Sequence, residues 1–152
     1  MQVLIVYGTQ FGNTHKVARA IGAALEPDHE VRVVDAKQAG AVTAEGVDLL
    51  FVGAPTQMNG LRLLVRSFTD DLGHLGFAGI AAAAFDTRMG EGTDRNLESK
   101  VIAEILETAG CRLVAPPESF LVTGLEGPVA TGELERAAAW ARSIVTAVPP
   151  SV

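Results

Sequence analysis

The sequence predicts an α/β fold: a three-layer sandwich in which a five-stranded parallel sheet carries helices on both faces. Three observations point there. Short, nearly continuous apolar runs recur along the chain, as expected of strands buried on both faces rather than half-exposed ones. Segments with apolar residues at helical spacing separate them, so strand and helix alternate. The chain has 152 residues, 48% hydrophobic and 20% charged, the size and composition of one globular domain. Residues 1–148 are expected to form that domain and 149–152 a short tail. Parallel strands joined through helices need right-handed crossovers, which place helices against both faces of the sheet.

The first strand is read at residues 3–7, followed by Gly8, Thr9, Gln10, Phe11, Gly12, Asn13 and Thr14. An amphipathic helix comes next, with Val17, Ala18, Ile21, Ala24 and Leu25 on its apolar face and Pro27 as its stop. The second strand is read at 31–34. Residues 35–48 are rich in small side chains and weakly periodic, which fits either a short helix or an irregular crossover. The third strand is read at 49–52, with a loop over 53–60. Leu61, Leu64, Val65, Phe68 and Leu72 then make a helical face ended by Gly73. The fourth strand is read at 77–85, with a loop from Asp86 to Gly92. The most regular helix follows Thr93, with Leu97, Val101, Ile102, Ile105, Leu106 and Ala109 in register and Gly110 as its C-terminal stop. The fifth strand begins at 112–114 and is split by Ala115, Pro116, Pro117 and Glu118 before Phe120, Leu121 and Val122. A final helix runs from about residue 132 to 145.

The segment after the first strand has the makings of an anion socket. Gly8 and Gly12 let the backbone turn tightly, so that successive N–H groups converge, and the helix start adds partial positive charge. Thr9 and Thr14 supply hydroxyl donors, Asn13 an amide, and Gln10 and Phe11 their backbone N–H groups, so neutral groups suffice to hold a phosphate. Neither the Gly-Lys-Ser/Thr ending of a Walker loop nor the G-x-G-x-x-G spacing of a dinucleotide fingerprint is present. Lys16, in the first helical turn, reads as a solvated lysine or as long-range support for the phosphate.

Composition narrows the rest. The formal net charge of −6 argues against non-specific binding to nucleic acid or anionic membranes, and leaves a basic protein partner open. Cys111 is the only cysteine, so no disulfide within the chain can form, and a buried thiol is expected. His15, His29 and His74 lack the spacing of paired metal ligands, so no metal site is expected. The N-terminal apolar run is too short for a signal peptide and no stretch reaches transmembrane length, which gives a cytoplasmic expectation.

Ile5, Val6, Tyr7, Thr9, Gly12, Thr14, Ala18 and Ile21 together resemble the FMN-binding signature of the flavodoxins. That resemblance implies FMN as cofactor and the strand order 2-1-3-4-5, which flavodoxin itself exemplifies, with the flavin at the switch between strands one and three. It also implies that Pro55, Thr56, Gln57, Met58, Asn59 and Gly60 border the isoalloxazine. There Pro55 stiffens the start of the loop, Thr56 donates, Met58 lies against the ring, and the peptide between Met58 and Gly60 flips on reduction. Asp86, Thr87, Arg88 and Gly90 fall in the second flavin loop. Many flavodoxins place an aromatic ring in this loop, but no Tyr, Trp or Phe lies between Asp86 and Phe120. Arg88 offers a cation that would stabilise the anionic reduced flavin, or a surface ion pair with Asp86 or Glu91. Glu118 and Ser119 fall at the end of the sheet where partners dock, without an assigned role.

The function implied is that of an electron carrier without catalytic residues of its own, docking basic redox partner proteins, a reductase and an acceptor, through acidic residues. An FMN oxidoreductase of the same fold, acting on a quinone or a porphyrinogen-like molecule, is the alternative. A flavin-free signalling domain of this fold is a third reading. Its receiver form needs an acidic pair after strand one and a phospho-accepting Asp after strand three, where this chain has Gly8, Thr9 and Ala54.

Overall fold

The computed structural model describes residues 1–56, 59–90 and 97–148, with the backbone alone at 40–41 and 59–64. Six strands form one sheet: β1 (Gln2–Tyr7), β2 (Glu30–Asp35), β3 (Leu49–Pro55), β4 (Ala81–Met89), β5 (Arg112–Leu113) and β6 (Glu118–Val122). The order is β2-β1-β3-β4-β5, and every pairing is parallel. β6 continues the fifth position, pairing with the C-terminal half of β4 as β5 pairs with its start. The break expected at Pro116 and Pro117 therefore falls within one interrupted strand position, since neither proline has an N–H to give the ladder.

The core stretch of each central strand is apolar because each of its faces meets helices. Leu4, Val6, Leu50, Val52, Ala82 and Ala84 pack on one side with Val65, Phe68, Ile102 and Leu106. Val3, Ile5, Leu49, Phe51, Ala81 and Ala83 pack on the other with Val17, Ile21, Ala141 and Ile144. The first set of helices is α2 (Asn59–Asp70), the one-turn α3 (Leu72–Leu75) and α4 (Glu98–Thr108); the second is α1 (Asn13–Leu25) and α5 (Glu133–Ala147). The result is a three-layer sandwich. On the α1/α5 side Trp140 stands edge-on to Phe51, Phe85 and Phe120, with ring centroids 5.6–6.2 Å away.

Several boundaries differ from the sequence reading. The fourth strand does not start at Phe77. Residues 77–80 are a turn, in which the Ile80 N–H donates to the Phe77 carbonyl and Gly79 sits at φ 86°. At its other end the strand runs on through Asp86, Thr87, Arg88 and Met89, paired first with β3 and then with β6. β3 likewise extends through Gly53, Ala54 and Pro55. Asn59 and Gly60 open α2 instead of belonging to a loop. The helix after them breaks at Asp71, and the left-handed residue that ends α3 is Gly76 (φ 87°), not Gly73. The uncertain crossover after β2 is a 3-10 turn at Ala36–Ala41, started by the Asp35 carboxylate accepting from the Lys37 N–H at 2.9 Å. Of the expected flavin-loop residues, Gln57 and Met58 lie outside the described residues, as does the segment 91–96.

Candidate functional site

From β1 the chain crosses to the α1 face, and from β3, its neighbour, to the α2 face. Where crossovers diverge in this way, the strand C-termini open into a crevice that suits a ligand. A half-open cleft occupies this position. It is lined by Thr9, Gln10, Phe11, Asn13 and Thr14 on one side, and by Pro55, Thr87, Arg88 and Met89 from the ends of β3 and β4. Val122, at the end of β6, and Leu125, just beyond, complete it.

The first side is built around Gly12. It is the N-cap of α1 in the left-handed conformation (φ 88°), and nothing lies within 4 Å of where a Cβ would stand. No side chain caps α1, so the amides of Asn13, Thr14 and His15, which have no intrahelical partner by position, face outward at the positive end of the helix. Thr9 Oγ1 accepts the Gly12 N–H at 2.9 Å, which folds the loop and leaves the Thr9 hydroxyl proton for a ligand. Thr14 is buried and its Oγ1 lies 2.9 Å from Thr87 Oγ1. With one of these hydroxyls donating to the other, the receiving one keeps its own proton to offer. Tyr7, at the end of β1, stacks on His15 with centroids 4.9 Å apart; burial and then the Asp35 carboxylate push its phenol above the usual range.

The second side is apolar with one charge. Phe11 (38% exposed), Met89 (38%) and Leu125 (53%) are the large apolar side chains that stand exposed among the described residues, and all three line this cleft. Among the described residues Arg88 is the only charged one that lines it. Its Nη1 donates to the Gly90 carbonyl at 2.7 Å, so among the described residues it is held by backbone and not by the Asp86 ion pair weighed from sequence.

The structure gives two of the expected flavin residues a partner away from the cleft. Asp86 is fully buried, and its Oδ2 accepts from the Ser99 N–H at 3.0 Å. Thr56 Oγ1 accepts from the Glu98 N–H at 3.2 Å. Two strand ends thus cap the first turn of α4, a helix that carries no side-chain cap of its own at Leu97. Neither residue lines the cleft. Sequence reasoning missed Met89, Val122 and Leu125, and with them the loop 123–128 that borders the phosphate-type turn. The signal available was a Leu flanked by Gly124 and Gly127 directly after the final strand. Glu118 and Ser119, left without a role, belong to a separate cluster. Arg136 bridges Glu118 (2.9 Å), Glu133 (2.9 Å) and the Ser119 carbonyl, and lies 4.5 Å over the Phe120 ring. The Arg136 hydrogen bonds hold the Glu133 carboxyl below its usual pKa, and Glu133 in turn holds the guanidinium above its own.

Among the described residues no group of three His, Cys, Asp or Glu converges as metal ligands, and no helix is long and apolar enough to cross a membrane. Cys111 is buried, and burial pushes its thiol up.

Comparison with known proteins agrees with this geometry. No curated protein matches the chain by sequence. Among solved structures, oxidised flavodoxin 1 from Bacillus cereus superposes with a TM-score of 0.78 at 19% identity, over 96% of this chain and 98% of its own. A flavodoxin from the domain Archaea gives 0.77 at 22% identity, over 97% and 99%. Rubredoxin oxygen:oxidoreductase from Desulfovibrio gigas gives 0.73 at 22% identity, over 97% of this chain but 36% of its own. The model of the flavodoxin domain matches residues 4–101, more than half the chain and the whole run from the first strand through the phosphate-type turn to α4. With that match, the strand order and the cleft at the β1/β3 divergence, the chain belongs to the flavodoxin family.

Proposed function

We propose that the protein binds FMN in the cleft at the strand C-termini and carries electrons between a reductase and acceptor proteins. The observation that supports this best is the uncapped start of α1. Three outward amides, the Thr9 hydroxyl and the free proton of the Thr14–Thr87 hydroxyl pair are the donors a phosphate dianion needs, with open space over Gly12 and no basic residue in the turn. The apolar side formed by Pro55, Met89, Val122 and Leu125 suits a planar ring attached to that phosphate. FMN so held supplies the redox chemistry; the protein orients it, withholds water from one side and sets the charge around it. Arg88 is the cation at hand for the reduced ring.

The test is titration of the flavin-free chain with FMN, followed by flavin fluorescence and visible absorbance. Saturable uptake of one FMN supports the reading; a protein that stays colourless and leaves FMN fluorescence untouched rejects it. Partner docking follows from charge. With a net −6, the protein should attract basic partners into brief complexes that added salt weakens. Reductase-driven electron transfer measured between low and physiological ionic strength should slow, and indifference to salt would remove the docking picture.

A second reading has its own support. No aromatic residue lies between Asp86 and Phe120, and the cleft mouth presents three exposed apolar side chains, leaving room for a small apolar substrate such as a quinone. Rapid NAD(P)H–quinone turnover by the FMN-loaded protein, with no reductase added, would favour an oxidoreductase over a carrier.

A further inference from the structure

We infer that residues 123–128 form an additional flavin loop in which Leu125 is the apolar wall for the isoalloxazine ring, taking the place of the missing aromatic side chain. The inference rests on the FMN reading above and assigns a residue that the family signature did not supply. A single exposed leucine is unremarkable on a protein surface. Leu125 is different because Phe11 and Met89, the other large apolar side chains exposed among the described residues, share its cleft. Apolar surface gathered at a concave site next to phosphate donors calls for a ligand that is charged at one end and flat and apolar at the other.

The wall is also held in place. The Thr123 N–H and hydroxyl both donate to the Pro128 carbonyl, at 2.9 and 3.1 Å, and the Gly127 N–H donates to the Gly124 carbonyl at 3.0 Å. Val122 pairs with Val129, closing the base of the turn. Leu125 therefore sits at the tip of a turn closed at both levels. Gly127 fixes the turn against the phosphate side. Its φ is 98°, and a Cβ there would fall 2.4 Å from Asn13 Oδ1, so bare backbone abuts the Asn13 side chain. Asn13 is buried, opens α1 and lines the same cleft. Through this contact the ring wall and the phosphate donors keep a common register, as a two-ended ligand requires.

Leu125→Ala, titrated with FMN, should bind about tenfold more weakly, as loss of a partly covered leucine implies. Inorganic phosphate, added as a competitor, should keep its inhibition constant, because the donors at Thr9, Thr14 and the α1 amides are untouched. Leu125→Tyr should quench bound flavin fluorescence and shift its visible bands, since a ring at the wall stacks on the flavin. Three results overturn the inference: FMN affinity in Leu125→Ala within twofold of wild type, equal weakening of FMN and phosphate, or a bound-flavin spectrum in Leu125→Tyr that matches wild type. A wild-type chain that takes no FMN shows instead that the flavin reading fails, and the wall with it.

Discussion

At the scale of single residues, polar groups at the strand ends divide between the cleft and the fold. Asp86 illustrates the second role. Its buried carboxylate meets the positive end of α4 through Ser99, a charge-assisted bond at a helix start. Asp86→Ala should cost about 2–3 kcal/mol of stability, and Asp86→Asn, which keeps an acceptor, about 1 kcal/mol, both read from urea denaturation. Gly53 shows a different constraint: a Cβ there would lie 2.2 Å from the Phe85 ring on the neighbouring strand. Gly53→Ala should therefore destabilise by at least about 1–3 kcal/mol, measured in the same way, because ring and strand must move apart. Arg88 belongs to the cleft. If FMN binds as proposed, Arg88→Ala should lower the potential for the second electron, since a cation near the ring favours the reduced anion. A redox titration giving an unchanged or higher value would remove that role.

At the scale of elements, what was legible followed apolar periodicity, and what was missed lay where periodicity carries no information. The central strands β1 and β3 and the first part of β4 announced themselves as apolar runs because both faces of the sheet are buried there. The C-terminal ends of β3 and β4 did not, since Asp86, Thr87 and Arg88 serve a helix terminus and a cleft instead of the core. A reading based on hydrophobicity ends the strand where its last core contact ends. The phosphate-type turn was readable because glycines, hydroxyls and a helix start combine in sequence. The loop 123–128 was not, because its place beside Asn13 arises only when β6 comes to lie next to β4. The junction of β6 with α5 makes a pH prediction. Glu133 accepts from the Leu121 N–H at 2.7 Å and from Arg136, so its folded pKa lies below the unfolded one. A depressed carboxyl stabilises above the unfolded value, near 4.3, and that contribution fades as pH falls through the lower folded value. Glu133→Gln should consequently be less stable than wild type at pH 7, with the gap narrowing below about pH 4.3; urea midpoints across pH 3–7 check it.

At the scale of the whole molecule, the sheet order places the phosphate donors of one crossover and the apolar ends of the other strands around a single opening. The same sheet has an outer edge at β6, and that edge is already spoken for. The Ser119 carbonyl takes Arg136, the Leu121 N–H takes Glu133, the Leu121 carbonyl takes the Ala130 N–H, and the Thr123 N–H takes the Pro128 carbonyl. Pro116 and Pro117, between β5 and β6, contribute no donor. A seventh strand from another molecule meets a ladder along β6 that is already taken at Leu121, at the Ser119 carbonyl and at the Thr123 N–H, so chain-to-chain sheet growth, the route to fibrils, is hindered there by the same arginine and glutamate that fasten the last helix.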